Sequence, residues 1–586
     1  MRVSTAVVDR LAENGINAVF GIPGKQTLPL NEAIDERDDV RFVMARHETA
    51  VSHQAWGYAE SSGETAATVV VPGPGDMNAM NGLKNAYNDC TPLVHIAIET
   101  EPDIRGGEGI HETPPETYDT VVKENVLVER PAGTLAALES AIATAETPPM
   151  GPVRVGIPKD FLAMDVALAS PPTYPRTGPS GVANRDLMAA ADLLSAANAP
   201  VVITGGGVRA AEASDALEAI ANHLDAPVVT TYKGKGTIPD DHPLVAGTLS
   251  GSAPPALLSL LSDADAALAV GTNFDAVATR AWSVAVPDQL VHVTIDPADV
   301  ATGYEPAVSV VADAAEALPA LDGALSDRDV ADSAGVAGSD GGAISNGDAI
   351  SNGATGSTGD ADSNDDATSE TGDRTGHERA AAVRADFDER VAPLRESTPL
   401  TSVAALEAVR AALPRDAIVA ADAGGSRVWG LNAFHAYGPR SYVNPGSWAT
   451  MGTGLPAAIG AQVANPAATV AVFVGDGGLM MSLHELHTAV AESLAITVVV
   501  FRNEDYAIIS EEAARAYAVD ESTYGWPDAP IDFVALAESL GMTGRRATDA
   551  DAVEKTVAEA AAADEPVLVE VPTDPGEPQA SEWFSR

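Results

Sequence analysis

The stretch that decides the fold is "TVAVFVGDGGLMMSLHELHTAVAESLAITVVVFRNED", residues 469–505. An apolar run ends in Gly-Asp-Gly-Gly, a segment with leucines and a valine at the spacing of one helix face follows, and a second apolar run ends at Asn503. A strand, a helix and a strand within about 30 residues predict a right-handed βαβ unit, in which both strands end at the same sheet edge. Asp476 and Asn503 should therefore lie close together.

The glycines around Asp476 predict a ligand that carries phosphate. They let the backbone approach a ligand closely, and the helix that follows turns its free N–H groups toward an anion. A bare carboxylate there would repel that anion, unless a cation lies between them. A carboxylate and an amide suit Mg²⁺, which takes its other ligands from phosphate and water. The pattern therefore predicts a magnesium diphosphate, and a P-loop is disfavoured because no Gly-Lys-Ser/Thr follows.

Length and charge limit the class of protein. A chain of 586 residues should form two to four domains, because single cores stop growing at roughly 250–300 residues. The 84 acidic and 34 basic side chains give a formal charge of −50, which predicts adaptation to a saline cytoplasm and argues against a nucleic-acid partner. The single cysteine, Cys90, excludes an intrachain disulfide and a cysteine-based zinc cluster. No signal-peptide pattern or long apolar run is present, so we expect a cytoplasmic protein without membrane contact.

Apolar runs alternate with helical patterns along three segments, 1–165, 183–320 and 395–575. This alternation predicts an α/β fold of three doubly wound parallel-sheet domains, with ligands at the carboxyl ends of the strands. The predicted strands lie within 17–24, 40–48, 65–75, 91–100, 151–158, 199–207, 226–236, 266–275, 290–297, 417–425, 469–478, 495–505 and 566–572.

A different kind of sequence, 326–377, separates the second and third segments. It contains a near-repeat of "AISNG" and almost no large apolar residues. Since nothing there can offset the entropy of ordering the chain, we predict a disordered acidic linker.

The "GDG" at 475–477 is followed by Asn503, 26 residues after its last glycine. This pattern resembles the motif of the thiamine-diphosphate-dependent enzymes, in particular the acetolactate synthase and 2-oxo acid decarboxylase group. The resemblance implies thiamine diphosphate and Mg²⁺ as cofactors. It implies that Asp476, Asn503 and the backbone carbonyl of Asp505 bind the metal. Gly475, Gly477 and Gly478 would contact the diphosphate.

The N-terminal segment resembles the pyrimidine-binding domain of the same family, in "FGIPG" (20–24), "RHE" (46–48), "GYA" (57–59), "PGPG" (72–75) and "TP" (91–92). By itself, Glu48 would be only an acid at a helix N-terminus, where the helix dipole favours it. The resemblance implies that the Glu48 carboxyl hydrogen-bonds the aminopyrimidine ring of the cofactor and activates it. Glu48 is thus the predicted catalytic residue.

Two further segments resemble cofactor loops of the family. In "NPGSWATMGTGLPAAIG" (444–460), Met451 has the position of the bulky side chain beneath the bent cofactor, and the Ala449 carbonyl would accept from its amino group. In "DAGGSRVWG" (422–430), Gly425 and Ser426 would contact the diphosphate. The resemblance also implies a homo-oligomer, because the first domain of one subunit faces the third domain of its partner and the active site lies at the dimer interface.

The middle segment contains a loose G-x-G-x-x-A pattern after a strand, at Gly205, Gly207 and Ala210. NAD is disfavoured because Tyr232 and Lys233 stand where an acidic residue should close the next strand. "TYKGKGTIPDDHPL", "GTNFD" and "TIDPAD" resemble the FAD loops of acetolactate synthases, but relatives without FAD share this scaffold. The sequence leaves open a bound FAD, a regulatory small subunit and the pairing of dimers into tetramers.

The substrate implied by the resemblance is a 2-oxo acid. Lys25 and Gln26 follow the "GIPG" turn on the predicted substrate side, and a lysine there could attract the carboxylate. His47, His53 and His111 are candidates for proton transfer, although each is more often structural or on the surface.

Three departures from the acetolactate synthase pattern weaken that assignment. His111 replaces a glutamine, Arg502 replaces an asparagine, and the segment after Tyr506 lacks the family's tryptophan-containing loop in recognisable form. Carboligation to acetolactate is nevertheless the first hypothesis, and simple decarboxylation of the 2-oxo acid is the second. A flavin or nicotinamide oxidoreductase and a non-catalytic relative that binds the cofactor remain as alternatives.

Overall fold

The computed structural model describes residues 1–176, 178, 181–338 and 374–585. It contains three six-stranded sheets, and every pair of strands within them is parallel. Helices cover the sheets, so the predicted α/β fold class is confirmed. We call the parts of the chain that carry the three sheets the N-terminal, middle and C-terminal domains. Among the described residues, none of the helices combines the length and the hydropathy needed to span a membrane.

The N-terminal sheet has the strand order β2-β1-β3-β4-β6-β5. Its strands are β1 (Ala18–Gly21), β2 (Arg41–Met44), β3 (Ala66–Val70), β4 (Leu93–Glu99), β5 (Glu124–Leu127) and β6 (Pro152–Pro158). Its helices are α1 (Val3–Glu13), α2 (Leu28–Asp35), α3 (Glu48–Ser62), α4 (Pro74–Asn88), α5 (Thr134–Glu146) and α6 (Lys159–Leu162).

The middle sheet has the order β12-β11-β10-β7-β8-β9. Its strands are β7 (Pro200–Thr204), β8 (Val228–Thr231), β9 (Val245–Leu249), β10 (Ala266–Val270), β11 (Leu290–Thr294) and β12 (Val308–Val311). Its helices are α7 (Asn184–Ser195), α8 (Gly206–Ala210), α9 (Ser214–His223), α10 (Pro255–Ser262) and α11 (Ala314–Gly338).

The C-terminal sheet has the order β14-β13-β15-β16-β18-β17, which is the topology of the N-terminal sheet. Its strands are β13 (Ile418–Ala421), β14 (Tyr442–Val443), β15 (Val470–Gly475), β16 (Ile496–Arg502), β17 (Thr543–Arg546) and β18 (Val567–Pro572). Helix α12 (Gly376–Arg395) packs against β9 and α10 of the middle domain and against α13. The helices of the C-terminal domain are α13 (Ser402–Ala412), α14 (Gly425–Ala433), α15 (Gly454–Ala464), α16 (Asp476–Ser482), α17 (Glu485–Ala491), α18 (Ala507–Tyr517), α19 (Phe533–Ser539), α20 (Ala550–Ala561) and α21 (Ala580–Trp583).

Both ends of the predicted acidic linker, 326–377, are helical. Helix α11 continues to Gly338, and α12 begins at Gly376 after a capping box formed by Thr375 and Glu378. A capping box satisfies the free amides of a first helical turn, which explains the sharp start of α12. Residues 339–373, the larger part of the predicted linker, lie outside the described residues.

The N-terminal and C-terminal domains meet along α3 and α15. A Cβ atom at Gly57 would lie 2.3 Å from the carbonyl oxygen of Ala457, and one at Gly460 would lie 1.9 Å from that of Gln54. Only glycine permits so close a crossing, so these two positions fix how the helices pack. This packing places the β2–α3 turn, which carries Glu48, against the C-terminal domain.

Candidate cofactor site

A cavity of about 230 Å³ opens at the carboxyl edge of the C-terminal sheet. It lies where the chain order of the strands reverses, between β13 and β15, the usual place for a ligand in a doubly wound sheet. It is lined by segments 423–426, 475–478 and 505–509 and by Met451, Phe501 and Asn503. Ser402 at the start of α13 and three residues of the loop after β18, Thr573, Glu577 and Gln579, complete the lining. Every lining residue comes from the C-terminal domain.

Asp476 and Asn503 lie together at this edge. The Asp476 Oδ2 accepts hydrogen bonds from the backbone amides of Asn503 (3.2 Å) and Glu504 (2.7 Å), and the Asn503 Oδ1 accepts from the amide of Asp505 (3.2 Å). Burial raises the pKa of the Asp476 carboxyl to about 6, although the backbone amides of Glu504, Gly477 and Asn503 act in the opposite direction. The paired strands β15 and β16 thus bring together the two side chains that the sequence predicts to be neighbours.

The donor set at this edge fits a hard cation held jointly by protein and phosphate. Among the described residues, no group of three or more His, Cys, Asp or Glu side chains could hold a metal. One carboxylate and one amide supply too few ligands alone, so a magnesium ion here would need oxygens from a diphosphate and water. A Cβ at Gly475 would meet nothing within 4 Å, which leaves room for such a ligand. The Gly477 amide donates to Asp476 Oδ1 at 2.7 Å.

Asp422 joins three loops of the cavity, and sequence reasoning missed it. It is fully buried, and it accepts from the backbone amides of Gly452 (3.1 Å) and Gly454 (2.8 Å). A Cβ at Gly478 would lie 2.1 Å from its Oδ2, so glycine is required there. Burial raises the pKa of the Asp422 carboxyl to about 6. Asp422 therefore fixes the loop that carries Met451.

Met451 reaches the first turn of α16. Its Cε lies 3.4 Å from the position of a Cβ on Gly477, and the same Cβ would lie 2.6 Å from the Tyr506 ring. Gly425 and Ser426 begin α14 and line the cavity on its other side, where a Cβ on Gly425 would lie 2.9 Å from Oε1 of Gln579. These predicted residues share one cavity.

Ala449 does not line the cavity and is exposed in the single chain. Glu48 is also outside it. Glu48 is the first residue of α3, is half-buried, and accepts a hydrogen bond from the side chain of Asn78 at 3.1 Å. The Glu48 Oε1 lies 3.3 Å from the position of a Cβ on Gly75, so Glu48 stands beside the "PGPG" turn.

The predicted substrate residues lie on the N-terminal domain. His111 is exposed, but its backbone carbonyl and Cβ pack against Gly73 of the "PGPG" turn. Lys25 is exposed and Gln26 is half-buried, both in the turn after β1. Within one chain, none of these residues reaches the cavity that Asp476 lines.

Glu577 is a half-buried acid in the cavity lining that sequence reasoning did not identify. Its carboxylate accepts from the backbone amide of Ser402 at 2.6 Å and from the Ser402 hydroxyl. Burial raises the pKa of the Glu577 carboxyl to about 7. Because it comes from the C-terminal loop, far along the chain from the motif, no local pattern marks it.

The pH dependence of stability should report on Glu577. Its folded-state pKa lies above the unfolded value, so its ionisation opposes folding increasingly as pH rises from about 4.5 to about 7, and by a constant amount above that. Glu577→Gln removes this effect. Between about pH 5 and about pH 8, the free energy of unfolding of the variant should therefore rise relative to that of the wild type by up to about 3 kcal/mol. Calorimetric melting temperatures at the two pH values test this. An equal difference between variant and wild type at both pH values would contradict it.

A second cavity, of about 250 Å³, lies at the carboxyl edge of the middle sheet. The glycines of the loose G-x-G-x-x-A pattern are needed there for packing, because a Cβ on Gly205 would lie 2.2 Å from the carbonyl oxygen of Gly271. Two cations that line the cavity are already paired with acids. Arg209 contacts Glu60 at 2.8 Å, and Lys233 contacts Glu60 at 2.7 Å and Asp89 at 3.0 Å.

Three family models match the chain, one for each domain. The N-terminal TPP-binding domain of thiamine pyrophosphate enzymes matches residues 1–120, their central domain matches 187–321, and their C-terminal TPP-binding domain matches 422–571. A probable acetolactate synthase large subunit of Methanocaldococcus jannaschii is 28% identical over 98% of this chain and 93% of its own length. A probable 2-ketoarginine decarboxylase of Pseudomonas aeruginosa is 32% identical over 94% of this chain and 90% of its own length.

A solved structure supports the fold. An X-ray structure of a protein from Mycobacterium smegmatis aligns with a TM-score of 0.77 over 98% of this chain and 100% of that chain, at 24% identity. The matched models cover all three domains, and the relatives match over nearly their full length. The chain therefore belongs to the thiamine pyrophosphate enzyme family and is a thiamine-diphosphate-dependent enzyme of the acetolactate synthase and 2-oxo acid decarboxylase group.

Proposed function

We propose that the protein is a magnesium-dependent 2-oxo acid carboligase, which decarboxylates pyruvate and joins the remaining two carbons to a second carbonyl compound. The observation that carries the proposal is the pairing of Asp476 with Asn503 in a glycine-lined cavity at the strand-order reversal of the C-terminal sheet. The similarity to acetolactate synthase large subunits over nearly the whole chain favours carboligation.

Thiamine diphosphate, when bound, supplies the carbon nucleophile and the electron sink for decarboxylation. Asp476, Asn503 and the Asp505 carbonyl would hold Mg²⁺, which neutralises the diphosphate beside the buried Asp476 carboxylate. The diphosphate would lie between two segments, 424–426 and 475–478. Met451 would support the cofactor from below, because Asp422 fixes its loop.

The pyrimidine end of the cofactor would be completed by a second copy of this chain. The cavity around Asp476 has no lining residue from the N-terminal domain of its own chain, and Glu48 is half-buried rather than enclosed. A homodimer in which Glu48 of one subunit faces Asp476 of the other accounts for both observations. Ala449, exposed in the single chain, would then lie beside the cofactor.

The substrate would enter from the N-terminal side of this interface. His111 packs against the "PGPG" turn beside which Glu48 stands, and Lys25 and Gln26 lie in the turn after β1 of the same domain. We assign these residues to the 2-oxo acid carboxylate and to proton transfer. The exposed Lys25 ammonium is the cation that would attract the carboxylate.

Simple decarboxylation of a 2-oxo acid is the second candidate. It is supported by the relative that is 32% identical and is named a probable 2-ketoarginine decarboxylase. In that case the loop that carries His111 would favour a cationic side chain on the substrate. Its acids Asp103, Glu108 and Glu112 outnumber its one cation, Arg105, whereas its fourth acid, Glu101, is paired with Lys159.

The ion pairs of the middle-domain cavity argue against a bound flavin. Arg209 and Lys233, two cations of the middle-domain cavity, are paired with Glu60 and Asp89 and so are not available for a dinucleotide phosphate. The strongly acidic composition supports our proposal that the protein works in a saline cytoplasm.

Product analysis tests the proposed reaction. The protein is incubated with pyruvate, thiamine diphosphate and magnesium in high salt. Acetoin after acid treatment marks acetolactate and supports carboligation, whereas acetaldehyde marks simple decarboxylation. Release of carbon dioxide from 2-ketoarginine but not from pyruvate would support the second candidate. No carbon dioxide from any 2-oxo acid would contradict both.

A further inference from the structure

The turn that presents Glu48 is held by a buried carboxylate from the other end of the chain. Glu485, the first residue of α17, is fully buried. Its Oε1 accepts hydrogen bonds from the backbone amides of Arg46 (2.9 Å) and His47 (3.1 Å), the two residues before Glu48. Because both amides converge on one oxygen, the carboxylate fixes the direction in which the chain enters α3.

The second oxygen of the same carboxylate is also occupied. Glu485 Oε2 accepts from the side-chain amide of Gln54 at 2.9 Å and from the Thr488 hydroxyl at 2.7 Å. Gln54 lies on α3, so one carboxylate holds both the turn before Glu48 and the body of the helix. A shift of α3 would leave these polar groups without partners, so the contacts of Glu485 oppose such a shift.

Glu485 also lies close in sequence to the metal end of the C-terminal domain. Helix α17 follows α16 directly, and α16 begins at Asp476. In the proposed dimer, Glu48 and Asp476 of one chain belong to two different catalytic centres. The segment from Asp476 to Glu485 therefore connects the metal ligand of one centre with the turn that carries the activating carboxyl of the other.

We propose that Glu485 is a positioning residue for Glu48, which sets the direction from which the Glu48 carboxyl meets the aminopyrimidine of the cofactor bound by the partner subunit. The inference rests on the proposed function, since it requires Glu48 to contact that cofactor. A glutamine at this position has one acceptor oxygen in place of two, so either the Arg46 and His47 amides or Gln54 would lose its partner.

The test compares Glu485→Gln with Glu492→Gln as a matched control. Glu492 accepts from the Met44 amide (3.3 Å) and the Arg41 guanidinium (3.1 Å) across the same domain contact, but not from the turn before Glu48. E485Q should lower kcat by about ten- to hundred-fold, because small displacements of a reacting group have effects of this size. The dissociation constant for thiamine diphosphate with magnesium should stay within about two-fold of wild type, and E492Q should keep its kcat within about two-fold.

Two further measurements separate positioning from general destabilisation. Deuterium exchange at the C2 proton of bound thiamine diphosphate should slow in E485Q in parallel with kcat. The double variant E48Q/E485Q should be no slower than E48Q alone, because Glu485 acts only through Glu48. Equal effects of E485Q and E492Q, or a further loss in the double variant, would overturn the inference.

A charge-retaining variant covers the case in which E485Q does not fold. Glu485→Asp withdraws the carboxylate by one methylene from the Arg46 and His47 amides, so a folded E485D should also have a lower kcat. A wild-type kcat in E485D would overturn the inference.

If the wild type neither binds thiamine diphosphate nor releases carbon dioxide from any 2-oxo acid, the proposed function fails, and this inference fails with it. If the wild type is active and E485Q matches E492Q, only this inference fails.

Discussion

Replacing Glu48 with glutamine should lower kcat by about 10²–10⁴-fold, the size expected when a group that exchanges a proton with the reacting system is removed. A glutamine can keep the hydrogen bond from Asn78 but cannot share a proton with the cofactor ring. The affinity for thiamine diphosphate and magnesium should change little, because Glu48 does not line the cavity around Asp476. Steady-state kinetics and cofactor titration in high salt measure the two quantities.

Glu36→Gln is the control for this substitution. Glu36 is an exposed acid at the end of α2, so its replacement changes the net charge equally and should leave kcat unchanged. A wild-type kcat in E48Q would show that Glu48 does not activate the cofactor. A strong loss of cofactor affinity without a change in kcat would assign Glu48 to binding.

Replacing Asp476 with alanine should weaken the binding of thiamine diphosphate with magnesium by at least about 100-fold. Loss of a group that only supports a metal ligand already costs about 10–100-fold, and Asp476 is the single carboxylate in the proposed metal set. The variant also loses the acceptor for the Asn503 and Glu504 amides, so the loop after β16 should loosen. Isothermal titration calorimetry with magnesium present measures the affinity.

The matched control for Asp476→Ala is Asp265→Ala in the middle domain. Asp265 also accepts from two backbone amides, those of Asn198 (2.7 Å) and Ala199 (2.8 Å), but it lies outside the cofactor cavity. Its replacement should leave cofactor affinity unchanged. Equal affinities in the Asp476 and Asp265 variants would mean that Asp476 does not bind the metal.

The sequence predicts the interior strands of the fold better than the edge strands. The five strands that the apolar runs do not predict are β5, β9, β12, β14 and β17, and each lies at an edge of its sheet. An edge strand has a neighbour on one side only and is often short, so it need not be continuously apolar. β14 has two residues, and most side chains of β5, β12 and β17 are partly or fully exposed.

The residues of the candidate site also differ in whether the sequence predicts them. Asp476 and Asn503 are predictable because one βαβ unit brings them together. Asp422 follows β13 as Asp476 follows β15, so that parallel could have identified it. Glu485 and Glu577 could not have been found, because the amides that they accept from lie 439 and 175 residues away in the chain. Such contacts depend on how the domains pack.

Mixed dimers of the two inactive variants test the central claim that Asp476 of one chain and Glu48 of another complete one site. Coexpression of E48Q and D476A chains should give mixed dimers, each with one intact site and one site that carries both substitutions. Random pairing in a two-fold dimer predicts about a quarter of the wild-type activity, although each variant alone is nearly inactive. Activity no higher than that of the separate variants, in a sample shown by mass spectrometry to contain mixed dimers, would contradict the account.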